Sequence, residues 1–324
     1  MRRVGIGEFD LIARWFSRPA RRSPLGVGDD CALLQPRTGW QLAVSCDMLV
    51  EGRHFLPTVA PQDLGHKALA VNLSDLAACG AEPLGFVLAL ALPSLEERFV
   101  EPLADGIWSL ADRYSMDLLG GDTTAGPLSL CITVFGEVPA GEALLRSGAR
   151  PGDDLWASGS LGDARLALEV FRGHAGLDAA AFAQARRAME RPEPRVALGR
   201  HLRGIASSAI DLSDGLVGDL GHVLTRSGVG AVVEFAKLPC SEGLRGQSPV
   251  MQARCLLSGG DDYELLFTAP ADAAARVRAA SEAAATPVSR IGTIVDEPGL
   301  RVLDAGGEAL DLGEFRGFDH FARR

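Results

Sequence analysis

At 324 residues the chain is long for one hydrophobic core, so two domains are expected. Apolar residues make up 47% and charged residues 23%, the balance of a folded soluble protein, and a net charge of −10 argues against a nucleic-acid binder relying on a basic surface. Lys67 and Lys237 are the only lysines, and the six cysteines (Cys31, Cys46, Cys79, Cys131, Cys240, Cys255) stand apart without a C-x-x-C pair, which reads as scattered buried thiols rather than a zinc or redox centre.

The first sixteen residues carry Glu8, Asp10 and Arg14 and lack the apolar stretch of a signal peptide; the longest apolar run, 86–92, is too short to cross a bilayer. A cytoplasmic protein is expected. Phe9, Ile12, Trp15 and Phe16 at helical spacing predict a short amphipathic helix over 8–17. An Arg/Pro/Ser-rich loop then ends in Gly26-Val27-Gly28-Asp29-Asp30. Strands are expected at 32–34 and 41–45, the second running into Cys46 and Asp47, followed by a loop with Glu51, Gly52 and His54. A helix over 63–79 places Asn72 and Asp75 on one face. A buried strand at 85–92 precedes Ser94-Leu95-Glu96-Glu97, a capping box in form, opening a helix to about 114.

The segment Leu118-Leu119-Gly120-Gly121-Asp122-Thr123-Thr124 reads as the organising element: a strand that ends at two glycines and opens a carboxylate and two hydroxyls onto a ligand. A strand at 128–138 follows, and 139–142 reads as a linker. In the second half, strands are expected at 154–158, 208–212, 230–235, 263–268, 288–295 and 300–303. Helices are expected near 162–172, 178–190, after Asp214, and near 271–285, with a polar loop following the strand at 230–235. Strands and helices mix in both halves, so the class is α/β (α+β).

Asp29, Asp30, Asp47, Asp75, Asp122, Asp211 and Asp214, with Ser45 and Ser213 beside two of them, are hard oxygen donors without a soft ligand. They select Mg²⁺, Mn²⁺ or Ca²⁺ over zinc or copper. Gathered carboxylates repel unless counter-ions join them, so several ions and a polyphosphate ligand are implied. Each motif has a plainer reading: Asp29-Asp30 and Asp261-Asp262 as turns, Ser213-Asp214 as a helix cap, Arg146 as a solvated side chain. Asp75 in an apolar helix is the exception, because an unpaired buried carboxylate is costly. Walker A and protein-kinase signatures are absent, so ATP, if this chain handles it, would be held by metals, glycine amides and arginine, with Arg146 the candidate.

Together these segments resemble the thiamine-monophosphate kinases. The resemblance is carried in order by Gly28-Asp29-Asp30, Ser45-Cys46-Asp47-Met48-Leu49-Val50-Glu51-Gly52-Arg53-His54-Phe55, the run Lys67–Ala77, Gly120-Gly121-Asp122-Thr123-Thr124, Arg146-Ser147-Gly148-Ala149, Ile210–Leu216, Ser258–Leu265 and the closing Gly317–Phe321. The wider superfamily includes aminoimidazole ribonucleotide synthetase and selenophosphate synthetase. The resemblance implies a two-domain fold. Residues 1–140 would bind metal and ATP and pair with a second copy in a homodimer, and 141–324 would close the active-site cleft. It implies Mg²⁺ ions at Asp30, Ser45, Cys46, Asp47, Asp75, Asp122, Asp211 and Asp214, ATP contacts at Gly121, Asp122, Arg146 and Ser213, and thiamine monophosphate contacts at His54, Asp261 and Phe318. Cys46, Asp261 and Phe318 stand where relatives usually carry Thr, Glu and Tyr or Trp.

The implied reaction is in-line transfer of the ATP γ-phosphoryl group to thiamine monophosphate, with Asp75 and Asp122 as the catalytic metal-bridging carboxylates. No nucleic acid or membrane partner is implied. Two rivals remain open on sequence: another ATP-dependent enzyme of the superfamily, of cyclo-ligase or selenophosphate synthetase type, and a non-catalytic divalent-metal-binding protein.

Overall fold

The fold is taken from a computed structural model that describes residues 7–313, 315 and 317. The described chain forms two compact units, one taking in residues up to Leu76 with Ala81–Ala140, the other Ala77–Gly80 with the chain from Gly141 on.

The first unit is built on four strands, β1 (Trp40–Val50), β2 (Glu82–Leu92), β3 (Asp117–Ala125) and β4 (Ser129–Pro139), in the order β1-β4-β2-β3. Only β2 and β3 run parallel. Alternation decides the faces: Phe86, Leu88, Leu90, Leu130, Ile132 and Val134 are buried on one side. Helices α2 (Pro61–Ala78) and α3 (Glu97–Arg113) cover that side, through Phe86 against Trp108 and a Ser45–Asp75 contact. The two helices touch backbone to backbone at Gly65 and Gly106, where an added Cβ would lie 2.0 Å from the Leu103 and Gln62 carbonyl oxygens respectively. On the other side, Leu42, Val44 and Met48 stay 44–58% exposed.

Several expectations are corrected here. The N-terminal helix is one turn, α1 (Glu8–Leu11), continued as a wider π turn through Phe16; it buries Leu11 and Phe16 and leaves Phe9 exposed. No strand forms at 32–34, where Leu33 only bridges Leu25. Strand β1 passes through Cys46 and Asp47 instead of stopping there. Ser94 Oγ donates to Glu96 instead of capping, and α3 starts at Glu97. The glycine pair does not end β3: Asp122, Thr123 and Thr124 pair with Ala89, Leu90 and Ala91. Gly121 explains this, since it sits at φ +150° where an added Cβ would lie 1.8 Å from Leu88 O. Without a side chain there, β3 stays close enough to β2 to keep pairing.

The second unit holds β5 (Asp153–Ser158), β6 (Ser208–Asp211), β7 (Gly230–Glu234), β8 (Leu265–Pro270), β9 (Val288–Val295) and β10 (Gly299–Leu303), in the order β10-β7-β9-β5-β8-β6. All pairings but β10–β7 are antiparallel. Leu155, Ile210, Leu220, Leu257, Leu266 and Ile291 are central to its core. The helices are α4 (Asp163–Phe171), α5 (Ala179–Glu190), α6 (Val196–Leu202), α7 (Leu216–Ser227), α8 (Glu242–Arg245), α9 (Pro249–Ser258) and α10 (Ala274–Ala283). Sequence reading missed α6, α8 and α9. The expected polar loop in fact carries two capped helix starts, Ser241 accepting from Leu244 N and Ser248 from Met251 N, with Pro249 in the first turn. Both units mix strand and helix, so the two-domain α/β class with α+β sheets stands.

Candidate active site

In the first unit, strand β1 and helix α2 bring two of the predicted residues, Ser45 and Asp75, into contact and set Asp47 against Asn72. Ser45 Oγ donates to Asp75 Oδ2 at 2.5 Å, and Asp47 N donates to Asn72 Oδ1 at 3.0 Å. The three-residue spacing of Asn72 and Asp75 is what lets one helix face meet β1 twice. Asp75 is thus half-buried and partnered. Cys46 faces the other way, as alternation requires, and its thiol lies 3.4 Å from Cys131 Sγ. Desolvation, with Cys46 alongside, pushes the Cys131 thiol up to about 11. The cysteines are therefore not all scattered and buried: Cys31 and Cys46 are exposed, and Cys255 is the buried one.

Asp122 is exposed on β3, at the sheet edge opposite β1. With strands ~4.8 Å apart, three strand spacings put the two edge backbones about 14 Å apart. Asp29 and Asp30 are exposed in their loop, where Asp30 N donates to Asp29 Oδ1 at 2.9 Å. Among the described residues, no three His, Cys, Asp or Glu side chains gather as a group able to hold a metal.

His54 is oriented from two sides. Val50 N donates to His54 Nδ1 at 3.0 Å, so the ring carries its proton on Nε2. Lys67, only 1% exposed, donates its ammonium to His54 O at 3.2 Å. Sequence reading gave Lys67 no role. The signal was present: a lysine, one of two in the chain, inside an apolar helix.

In the second unit, Asp211 is buried at the end of β6, and Ser213 and Asp214 are half-buried in the turn into α7. The expected cap is inverted. Asp219, inside α7, reaches back to accept the N–H groups of Ser213, Asp214 and Gly215 at 3.1, 3.0 and 3.1 Å. Burial pushes the Asp219 carboxyl up to about 7; Asp214's charge adds to this and the three N–H donors oppose it.

The segment 258–264 is tied to the same turn by Asp261 N to Ser213 O (2.9 Å) and Tyr263 N to Leu212 O (2.8 Å). Asp261 and Tyr263 both adopt left-handed backbone, φ +69° and +51°, so the strand starts only at Leu265. Left-handed non-glycine residues so close together mark stored strain of the kind that collects at ligand sites. Tyr263 OH donates to Asp261 Oδ1 at 3.0 Å.

Arg195 and Glu264 support this segment and were missed by sequence reading, because they are 69 residues apart. Arg195 Nε and Nη2 donate to the buried Glu264 carboxylate at 2.7 and 2.5 Å, joined by Ser158 Oγ at 2.5 Å. Arg195→Ala leaves that charge without its guanidinium, so a loss of about 3 kcal/mol is expected in urea melts. Arg146 is exposed; its carbonyl accepts from Ser227 Oγ at 3.3 Å, and the same hydroxyl accepts from Gly148 N and Ala149 N. Phe318 lies outside the described residues.

Residues 28–138 match the family model for AIR synthase related protein, N-terminal domain, and 150–305 that for the C-terminal domain. Thiamine-monophosphate kinase of Escherichia coli (strain K12) is 46% identical over 326 residues, covering 98% of this chain and 99% of that one. The chain belongs to the thiamine-monophosphate kinase family.

The crystal structure of the family member from Stenotrophomonas maltophilia K279a shares 45% identity and a TM-score of 0.84, covering 93% of this chain and 95% of that one. AaThiL complexed with AMPPCP and TMP shares 30% identity and a TM-score of 0.75, covering 98% and 97%. The present chain is a kinase, and its activity is ATP-dependent phosphorylation of thiamine monophosphate.

Proposed function

We propose that this kinase transfers the γ-phosphoryl group of ATP directly to the phosphate of thiamine monophosphate, releasing thiamine diphosphate and ADP, with Mg²⁺ ions at the acidic positions. The Ser45–Asp75 oxygen pair at 2.5 Å, with Asp47 two residues along β1, carries the metal assignment. Its donors are hard, and a group of one or two carboxylates suits an ion that completes its shell with water and substrate phosphates. When bound, Mg²⁺ would neutralise the phosphates and stabilise charge on the transferring group.

The acceptor phosphate has a second pKa of about 6, so at neutral pH it needs no protein base to become a nucleophile. The residues' work is to position. In the first unit, Asp30, Ser45, the Cys46 carbonyl, Asp47, Asp75 and Asp122 would hold metal, Gly121 and Asp122 would meet ATP, and His54 would present its Nε2–H to substrate. In the second, Asp211 and Asp214 would hold metal, Arg146 and Ser213 would meet ATP, and Asp261 and Phe318 would meet the thiamine. The identity over the full length favours this reading over a cyclo-ligase, a selenophosphate synthetase or a passive metal binder.

The exposed apolar row Leu42, Val44 and Met48 on the outer sheet face supports homodimerisation through the first unit. Among the described residues no helix is long and apolar enough to cross a membrane, in keeping with a cytoplasmic kinase.

An acceptor panel tests the reading. Thiamine monophosphate is expected to be phosphorylated, and free thiamine and unrelated monophosphates are not; equal transfer to all of them would refute it. A second expectation follows from Lys67. Lys67→Met keeps the apolar stem but removes the donor to His54 O, so KM for thiamine monophosphate should rise about tenfold, ~1.4 kcal/mol, with KM for ATP little changed.

A further inference from the structure

The segment between Arg18 and Arg37 has little regular structure, yet two buried carboxylates hold it in place. Asp117, 5% exposed at the start of β3, accepts the backbone N–H groups of Arg21 (2.9 Å), Arg22 (2.7 Å) and Ser23 (3.1 Å). Successive backbone N–H groups converging on one point form an anion nest. Here the chain's own carboxylate fills it. Glu137, 1% exposed on β4, accepts Arg37 N and Nε, each at 2.8 Å, and lies 3.5 Å from Arg22 Nη2.

From the nest the restraint passes to the Asp29–Asp30 loop. Ser23 Oγ sits between Leu25 O, at 2.8 Å, and Leu33 O and shares its single proton between the two carbonyls, while Leu33 N donates to Leu25 O at 2.9 Å, which closes the loop's neck. Gly26 packs against Ala20, whose Cβ would lie 3.0 Å from an added Cβ, with Leu118 O at the start of β3 next at 3.8 Å. One strand therefore carries Asp122 near one end and, at its start, the carboxylate that tethers the loop of Asp29 and Asp30.

We propose that Asp117 is a positioning residue: through Ser23 it holds the Asp29–Asp30 loop beside β3 and so sets the metal affinity of the site, with Glu137 bracing the far end. The inference rests on the reading that Asp30 holds metal. Asp117→Asn turns an amide NH₂ toward at least one of the three N–H donors. Ser23→Ala cuts the link between nest and neck without leaving a buried charge.

The test is Mn²⁺ binding with a non-hydrolysable ATP analogue, followed by electron paramagnetic resonance, beside steady-state kinetics. Weakening of roughly tenfold in Asp117→Asn and at least roughly threefold in Ser23→Ala is expected, with KM for thiamine monophosphate within about twofold of wild type. Unchanged Mn²⁺ binding in Ser23→Ala, or in folded Asp117→Asn, overturns the inference whatever the kinase activity; if Asp117→Asn does not fold, Ser23→Ala decides. A wild type that binds Mn²⁺ but transfers no phosphoryl group overturns the kinase reading alone, and a wild type that binds no Mn²⁺ overturns both.

Discussion

Asp75→Asn is expected to lower turnover by about two to three orders of magnitude, ~3–4 kcal/mol on the barrier, while the first unit stays folded. The amide keeps the shape of the carboxylate and can still accept from Ser45 Oγ, now 2.5 Å from Asp75 Oδ2, so the β1–α2 contact survives. What is lost is the negative charge that would share an ion with the phosphates. Without it, two polyanions meet with less neutralisation, and screened charges at ~4 Å repel by about 1–4 kcal/mol per pair. Turnover measured at saturating ATP and raised Mg²⁺, beside a thermal melt, checks this. A variant with normal melting and near-normal turnover at ordinary Mg²⁺ would remove Asp75 from the metal set.

Gly121→Ala should prevent the first unit from reaching a single folded state. A methyl group placed 1.8 Å from Leu88 O, and 2.7 Å from its carbonyl carbon, has nowhere to go but through the β2–β3 pairing. Separating those strands breaks the parallel ladder that runs from Gly85–Asp117 to Leu92–Ala125 and uncovers Leu88 and Leu90. The backbone conformation adds strain, since φ +150° is rarely adopted with a side chain. A loss above about 3 kcal/mol is expected, against typical total stabilities of ~5–15 kcal/mol. Near-UV circular dichroism and hydrogen exchange on β2 and β3 would register it. Native-like exchange protection there would show that the strands can part without penalty.

These two residues also show what was legible beforehand. Asp75 was marked by its chemistry, a carboxylate among apolar neighbours at helical spacing, and the partner that resolves it, Ser45, was already in the candidate set. Gly121 was legible as a glycine needed for close approach, but not as one that keeps a strand going; that depends on β2 lying alongside, which local pattern does not contain. The capping serines Ser241 and Ser248 were local signals overlooked in a polar stretch. Arg195 and Glu264, Lys67 and His54 O, and Asp117 with residues 21–23 are long-range pairings. No periodicity reports them, because each is made by the way the sheet and helices assemble. The metal set was legible as a list of donors. Its layout, with Ser45 and Asp75 together and Asp122 three strands away, was not.

Phosphorus NMR of ATP and thiamine monophosphate mixed with the wild-type protein tests the central claim most directly. With Mg²⁺ present, thiamine diphosphate and ADP should appear in equal amounts with no free phosphate, and with a chelator neither should form. Release of inorganic phosphate in place of thiamine diphosphate, or equal transfer with and without the chelator, would contradict direct metal-assisted transfer between the two phosphates.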